Sequence, residues 1–175
     1  MHSPPTTRAW ARAAAVAILL VSAAGAVPCG ALPGARAAGA QSTQEGAATS
    51  IPAAALLEPG ELVRILQSRG TEKPLIFQVG PHLLYKEAHI PGAESIGAAS
   101  KDEGLRQLHE RVRQLPHSRF IVLYCGCCPW SRCPNVKPAY AALRNLGFTN
   151  VKVLHIEQNF GTNWVQKGYP TEKGE

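Results

Sequence analysis

Four cysteines lie within nine residues of the 175-residue chain, namely Cys125, Cys127, Cys128 and Cys133. They belong to a segment, 125–135, that follows a strongly apolar run and precedes a helical pattern. A loop from a strand into a helix directs backbone N–H groups and the positive end of the helix dipole toward one point, which favours an anion. A cysteine in this loop is expected to have a lowered pKa, and Arg132 adds positive charge. The segment therefore predicts a nucleophilic thiolate.

Other chemistry is compatible with the same four residues. Two structural disulfides are one alternative, although the adjacent Cys127 and Cys128 can hardly pair without strain. Zinc is another, although a zinc ribbon normally takes its thiolates from two separated pairs. The spacing of Cys125 and Cys128 is also that of a redox motif. If Cys125 carried a persulfide or sulfenate, a neighbouring cysteine could attack it and leave a disulfide.

The elements around the loop alternate between helical and extended patterns. Apolar spacing and terminator residues predict helices over 61–68, 101–115 and 138–146, and strands over 75–79, 120–124 and 151–154. Strands separated by helices indicate an α/β domain with a parallel sheet. In such a sheet the functional site lies beyond the carboxyl ends of the strands. Cys125 directly follows the strongest predicted strand, so it has that position.

The first third of the chain has a different composition. Arg8 and Arg12 precede an apolar stretch, and Ala35 and Ala37 offer an A-x-A cleavage site. This pattern predicts a signal peptide over 1–37, a flexible tether over 38–57 and a folded domain over 58–175. A retained membrane anchor is the weaker alternative because the apolar stretch is short for a span. We therefore expect a periplasmic or secreted protein without stable membrane insertion after cleavage.

Charge and length exclude several classes of protein. The net charge is +6, but three of the eighteen basic residues lie in the predicted leader, so the mature chain carries about +3. That charge is too small to indicate a nucleic-acid surface. No later apolar run is long enough for a membrane-spanning helix, and no internal repeat is evident.

Four motifs identify a family resemblance. They are residues 85–93 (YKEAHIPGA), the pair Tyr124-Cys125, residues 147–151 (GFTNV), and the pattern Trp164-x3-Gly168-x-Pro170. With these motifs, the segment from about Glu58 to Pro170 resembles a single rhodanese domain, the sulfurtransferase family. The resemblance implies an α/β fold with a parallel five-stranded sheet flanked by helices on both faces. It also implies a cysteine that takes sulfane sulfur as a persulfide and passes it to a thiophilic acceptor.

Carried onto this chain, the resemblance makes Cys125 the catalytic nucleophile. Cys127, Cys128 and Cys133 are then alternative nucleophiles or resolving cysteines. The substrate-binding candidates are Gly126, Trp130, Ser131 and Arg132, with the loop amides cradling an anionic donor. No metal and no cofactor are expected, and the partners are a small-molecule sulfur donor and a thiol acceptor, which includes a protein thiol. A thiol-disulfide redox protein and a non-catalytic sulfur- or metal-binding module on the same scaffold are the alternatives.

The sequence also departs from the family pattern. The loop after Cys125 is longer than usual by about five residues. Gln78 and Gly80 stand where the family has an aspartate and an arginine, which weakens the expectation of ordinary thiosulfate turnover. Two histidines lie near the predicted site. His89 is expected to brace a turn by hydrogen bonding. His155 is a candidate for a functional role because it follows a predicted strand whose end faces the active-site edge.

Overall fold

The computed structural model describes residues 50–70 and 72–174. The predicted signal peptide lies outside these residues, as does most of the predicted tether. Among the described residues, no helix has both the length and the apolar character needed to cross a membrane.

Five parallel strands form one sheet in the order β1-β5-β4-β2-β3. The strands are β1 (Leu56–Leu57), β2 (Leu75–Gln78), β3 (Ala93–Ser95), β4 (Ile121–Tyr124) and β5 (Val151–Leu154), and the helices are α1 (Pro59–Gln67), α2 (His82–Glu87), α3 (Asp102–Val112), α4 (Val136–Asn145) and α5 (Phe160–Asn163). The predicted fold class is confirmed: a parallel five-stranded α/β sheet of the rhodanese-like type, flanked by helices.

The central strand β4 separates two hydrophobic cores. Its side chains alternate between the two faces, as the pleat of a strand requires. Ile121 and Leu123 belong to the core that includes residues of α3 and α4, whereas Val122 and Tyr124 belong to the core that includes residues of α1, α2 and α5. All four are buried, so β4 is fixed from both sides. The first residue beyond it, Cys125, is therefore held in a defined position.

The first strand lies before residue 58, in the segment predicted as the end of the tether. Leu56 and Leu57 form β1 and pair with Val153 and Leu154 of β5. A strand of two residues is too short to show a periodic apolar pattern. For that reason β1 could not be distinguished from the small, polar segment that precedes it.

Helix α4 begins at Val136, two residues before its predicted start. Pro138 suggested a helix beginning at that residue. Proline is tolerated throughout the first turn, because the N–H groups there have no intrahelical partner. The loop that contains the cysteines is correspondingly shorter, and Asn135 stands directly at its end.

We predict that Gly104→Ala destabilises the domain even though alanine is ordinarily the better helix former. A methyl group at Gly104, inside α3, would lie 2.4 Å from the carbonyl oxygen of Ala98. Relieving this overlap should lower the free energy of unfolding by about 1–3 kcal/mol, as overpacking does. Urea denaturation of the variant measures the change.

Gly60→Ala is the matched control. Gly60 also lies in a helix, and its added methyl would be 3.4 Å from the Tyr169 hydroxyl, an ordinary contact. This variant should differ from the parent by less than about 1 kcal/mol. Equal stability of the two variants would contradict the assigned packing of α3.

Candidate active site

Cys125 is buried at the carboxyl edge of the sheet, with 3% of its surface exposed. It follows β4, whose last residue Tyr124 pairs with Gln78 at the end of β2. A methyl group at Gly80 would lie 2.8 Å from the Cys125 Sγ. The space for the sulfur therefore exists because residue 80 is a glycine, and an arginine side chain at that position would displace it.

The chain turns sharply at the next residue. Gly126 has a φ of +71°, a conformation that side-chain-bearing residues rarely adopt. A methyl group there would lie 2.7 Å from the Phe160 Cβ. The Gly126 carbonyl also accepts a hydrogen bond of 3.0 Å from the Phe160 N–H. Gly126 thus attaches the loop to α5, and its close approach to Phe160 is the reason for a glycine at this position.

The sulfur atoms of the four cysteines form one group, which we call the thiol cluster (Cys125, Cys127, Cys128 and Cys133). All four are free thiols. The Sγ atoms of Cys125 and Cys127 are 3.1 Å apart, and those of Cys127 and Cys128 are 3.2 Å apart. The Sγ atoms of Cys125, Cys127 and Cys133 lie within 4.8 Å of one another. The cluster could therefore exchange protons, form a disulfide after a small movement, or offer three soft ligands to a metal ion.

Asn135 connects the thiol cluster to the protein behind it. Its side chain is 2% exposed. The Nδ2 group donates to the Cys125 Sγ at 3.3 Å and to the Cys127 Sγ at 3.7 Å, and the Oδ1 atom accepts from the Ser100 N–H at 2.9 Å. Sequence reasoning missed this residue. Its only signal was an asparagine before a helix, which is typical of an N-cap. Here the side chain makes no capping hydrogen bond and donates to the two sulfur atoms instead.

The interaction between Cys125 and Cys133 lowers the pKa of one thiol and raises that of the other. The pKa of Cys133 is lowered to about 5, first by its interaction with the Cys125 thiol and then by the backbone N–H groups of Asn135 and Val136, against the opposing effect of burial. The pKa of Cys125 is raised far above its usual range, first by its interaction with Cys133 and then by burial. The expected low pKa is thus found at the other end of the loop, beside the start of α4, where the helix favours an anion.

Cys128 remains protonated. Its pKa is raised to about 12, first by burial and then by the neighbouring Cys127 and Cys133. Among Cys125, Cys128 and Cys133, only Cys133 has a lowered pKa, and Cys125 must lose its proton before it can act as a nucleophile.

Part of the expected cradle of loop amides is occupied by the protein itself. The Trp130 N–H donates to the carbonyl of Glu157, and the N–H groups of Arg132 and Cys133 donate to Pro129 and Trp130 within the loop. Ser131 and Arg132 are exposed on a short 3₁₀ turn (Trp130–Arg132).

An open cavity of about 340 Å³ gives access to Cys125. Its lining comes from the ends of β2 and β4, from α2, from the first loop residues and from the region of α5: Gln78, Leu84, Glu87, Ala88, Tyr124, Cys125, Gly126, Cys127, Asn159, Phe160, Gly161 and Val165. Gly126 is thus the one predicted substrate-binding residue in this lining. The other three, Trp130, Ser131 and Arg132, lie outside it.

Trp130 packs against another predicted candidate, His155. Their rings meet edge to face with centroids 5.0 Å apart, and the His155 Nδ1 lies 2.9 Å from the Glu58 carboxylate. Together they brace the loop against the edge of the sheet. His89 lies elsewhere: it is buried, its Nδ1 is 2.8 Å from the carbonyl oxygen of Tyr85, and its ring stacks on that tyrosine. It braces the turn that it was expected to brace.

Comparison with known proteins agrees with this architecture. The family model described as "Rhodanese-like domain" matches residues 58–155. No curated protein matches the sequence. A solution structure of a rhodanese-like domain from Anabaena sp. is 23% identical, with a TM-score of 0.50, over 68% of this chain and 79% of that one. A crystal structure of the same Anabaena protein is 23% identical, with a TM-score of 0.51, over 67% of this chain and 82% of that one. At this identity the likeness concerns the fold.

We predict that the reduced protein contains one thiolate that titrates near pH 5, because the start of α4 and Cys125 stabilise the charge on Cys133. Thiolate absorbance in the ultraviolet, followed from acid to neutral pH, measures it. Cys133→Ser should abolish the transition, and Cys125→Ala should move it upward. Cys128→Ala should shift it least, since Cys128 has the smallest effect on Cys133. A thiolate that survives in Cys133→Ser would contradict the assignment.

Proposed function

The chain belongs to the rhodanese-like domain family, and on that premise we propose that it is a sulfurtransferase that carries sulfane sulfur as a persulfide on Cys125. One observation carries the proposal: Cys125 stands at the carboxyl end of β4, lines an open cavity and contacts a thiol cluster that contains an ionised cysteine. A sulfur in this position can reach a bound donor. Cys133 can hold the proton of the coupled pair while Cys125 attacks.

The first step uses the single negative charge that the coupled thiols of Cys125 and Cys133 share. Cys125 is the nucleophile in the state in which the proton of the pair lies on Cys133. Its sulfur then forms a bond to the outer sulfur of the donor while the sulfur–sulfur bond of the donor breaks. The leaving group departs with the electron pair of that bond, so no outside oxidant or reductant is needed. Asn135 and the Cys127 N–H hold Cys125 in place for the attack, because both donate to its sulfur.

The second step returns the enzyme to its starting state. An acceptor thiolate attacks the outer sulfur of the persulfide, takes it, and leaves Cys125 as a thiolate that recovers its proton from Cys133. The proposed acceptor is a small thiol or a protein thiol. The open cavity supports this assignment, since the persulfide would be accessible from solvent.

Thiol-disulfide exchange is a second candidate, supported by the distance of 3.1 Å between the sulfurs of Cys125 and Cys127. In that reaction a Cys127 thiolate attacks the inner sulfur of a Cys125 persulfide. The bond to the outer sulfur breaks, hydrosulfide leaves, and a Cys125–Cys127 disulfide remains. The same cluster would then release sulfide rather than transfer sulfane sulfur.

The proposed setting of the protein is the periplasm or the extracellular space. The predicted leader over 1–37 supports export. Thiols in those compartments tend to be oxidised, so a cysteine cluster that acts there needs a reducing partner. A thiol acceptor would meet this need.

We predict that the reduced full chain gains the mass of one sulfur atom when it is incubated with a sulfane donor, because Cys125 forms a persulfide. Intact-mass measurement detects the gain. Cys125→Ser should lose it, whereas Cys128→Ser should retain it, since Cys128 does not line the cavity. Zinc retained by the native protein, or loss of two hydrogens without any gain of sulfur, would overturn sulfur transfer in favour of metal binding or redox chemistry respectively.

We also predict that the persulfide decays internally when no acceptor is added. Peptide mapping after prolonged incubation should find a disulfide between Cys125 and Cys127, because their sulfur atoms lie 3.1 Å apart. Cys127→Ser should prolong the lifetime of the persulfide several-fold. A disulfide from Cys125 to Cys128 instead would show that the loop rearranges before it resolves the persulfide.

A further inference from the structure

We infer that the cavity beside Cys125 selects sulfur compounds with a cationic end, namely small aminothiols and their hydropersulfides, and disfavours anionic donors such as thiosulfate. This inference rests on the proposed sulfur transfer and names the substrate class of the same site. Four independent features of the site support it.

The ionisable groups around the cavity have one sign. Glu87 of α2 is exposed at the cavity and contributes a carboxylate. Among the described residues, no lysine, arginine or histidine lines the cavity. The attacking Cys125 thiolate is itself the second negative charge of the site. A donor with negative charge would approach two like charges without a compensating cation.

Gln78, which lines the cavity, carries a buried hydrogen-bond acceptor without a partner. Gln78 is 2% exposed, and its Oε1 is the one buried side-chain nitrogen or oxygen atom without a hydrogen-bond partner among residues 50–70 and 72–174. Its Nε2 is 3.5 Å from the carbonyl oxygen of Pro81, so exchanging the two amide atoms would place two acceptors against each other. A buried acceptor without a partner is costly, and a ligand N–H group would satisfy it. An anionic oxygen has no proton to donate and would leave the Gln78 Oε1 without a partner.

Several donors of the loop are occupied within the protein. The N–H groups of Trp130, Arg132 and Cys133 donate to carbonyl oxygens, and that of Cys127 donates to the Cys125 sulfur. The guanidinium of Arg132 belongs to an exposed turn outside the cavity lining. The N–H groups of Trp130, Arg132 and Cys133 therefore do not serve an anionic donor in the cavity.

The remaining lining suits a short aliphatic chain. Leu84, Phe160 and Val165 contribute apolar surface to the same cavity. An aminothiol has two or three methylene groups between its sulfur and its ammonium, so its sulfur could reach Cys125 while its nitrogen stays near Glu87 or Gln78. Charge, hydrogen bonding and apolar surface thus favour the same class of compound.

The step with such a donor is balanced. The Cys125 thiolate attacks the outer sulfur of the hydropersulfide, the sulfur–sulfur bond of the donor breaks, and the aminothiol leaves as its thiolate with the electron pair. Cys125 retains the outer sulfur and its proton as a hydropersulfide. The ammonium group is unchanged, and its role is to orient the donor.

The test compares hydropersulfides that differ only in the terminal group: those of cysteamine, 2-mercaptoethanol and 3-mercaptopropionate, with thiosulfate as a fourth donor. Intact mass follows the rate at which the reduced full chain gains sulfur. We expect the cysteamine donor to load at least tenfold faster than the carboxylate donor, with the neutral donor between them, and thiosulfate to be the slowest.

Two variants assign the preference to the cavity. Glu87→Lys should reduce the ratio between the cationic and the anionic donor by about tenfold, because it replaces an attraction with a repulsion. Gln78→Glu should increase that ratio, since it adds a charge where the buried acceptor now stands. Glu110→Lys makes the same charge change on an exposed site of α3 outside the cavity lining and should leave the ratio as it is.

The possible results distinguish failure of the charge preference from failure of sulfur transfer itself. Loading by all donors at similar rates, or fastest by thiosulfate, would overturn the charge preference and leave sulfur transfer in place. Loading by none of the four would overturn sulfur transfer itself, and the preference with it. An equal effect of Glu87→Lys and Glu110→Lys would show that the preference comes from net charge and would also overturn the role of the cavity.

Discussion

The carboxyl edge of the sheet depends on the close approach of β2 and β4 around one sulfur atom. The Cys125 Sγ occupies space that any side chain at residue 80 would take, since even a methyl group there would lie 2.8 Å away. This packing buries the nucleophile. Burial in turn makes ionisation of Cys125 unfavourable, so another group must carry the charge. The thiol cluster and its connection to α4 follow from that requirement.

Cys133 can carry the negative charge because the loop ends at the start of α4. The start of a helix presents unpaired N–H groups, and those of Asn135 and Val136 stabilise the Cys133 thiolate. Asn135 meanwhile binds Cys125 and Cys127 with its side chain and Ser100 with its carbonyl oxygen. One residue thus fixes both the sulfur that reacts and the distance over which its proton moves. In this arrangement the site can hold the nucleophile in a protonated form until a donor arrives.

The fold and the position of Cys125 were within reach of the sequence. Strong apolar runs separated by amphipathic helices predicted the parallel sheet, and the motifs around Tyr124 pointed to the family. The pattern failed where segments are short: β1 has two residues, and its pairing with β5 is set by tertiary contacts alone. The loop shows a second limit. Residue type and spacing predicted an amide cradle to which Arg132 adds positive charge, but whether an N–H group faces a ligand or a carbonyl oxygen depends on the three-dimensional path of the chain, which spacing does not determine. Spacing also could not show that the Gln78 Oε1 is buried without a hydrogen-bond partner, because that depends on the surrounding tertiary structure.

The attachment of the loop at its two ends has a consequence for how such a site can change. Gly126 is tied to Phe160 on one side, and Asn135 is tied to Ser100 and the start of α4 on the other. The residues between these two attachments contribute to no strand and to no α-helix. Insertions and deletions between them can therefore accumulate without disturbing the sheet. In this architecture evolution can exchange the chemistry of the active site by altering the length and composition of one segment, while the buried nucleophile keeps its place.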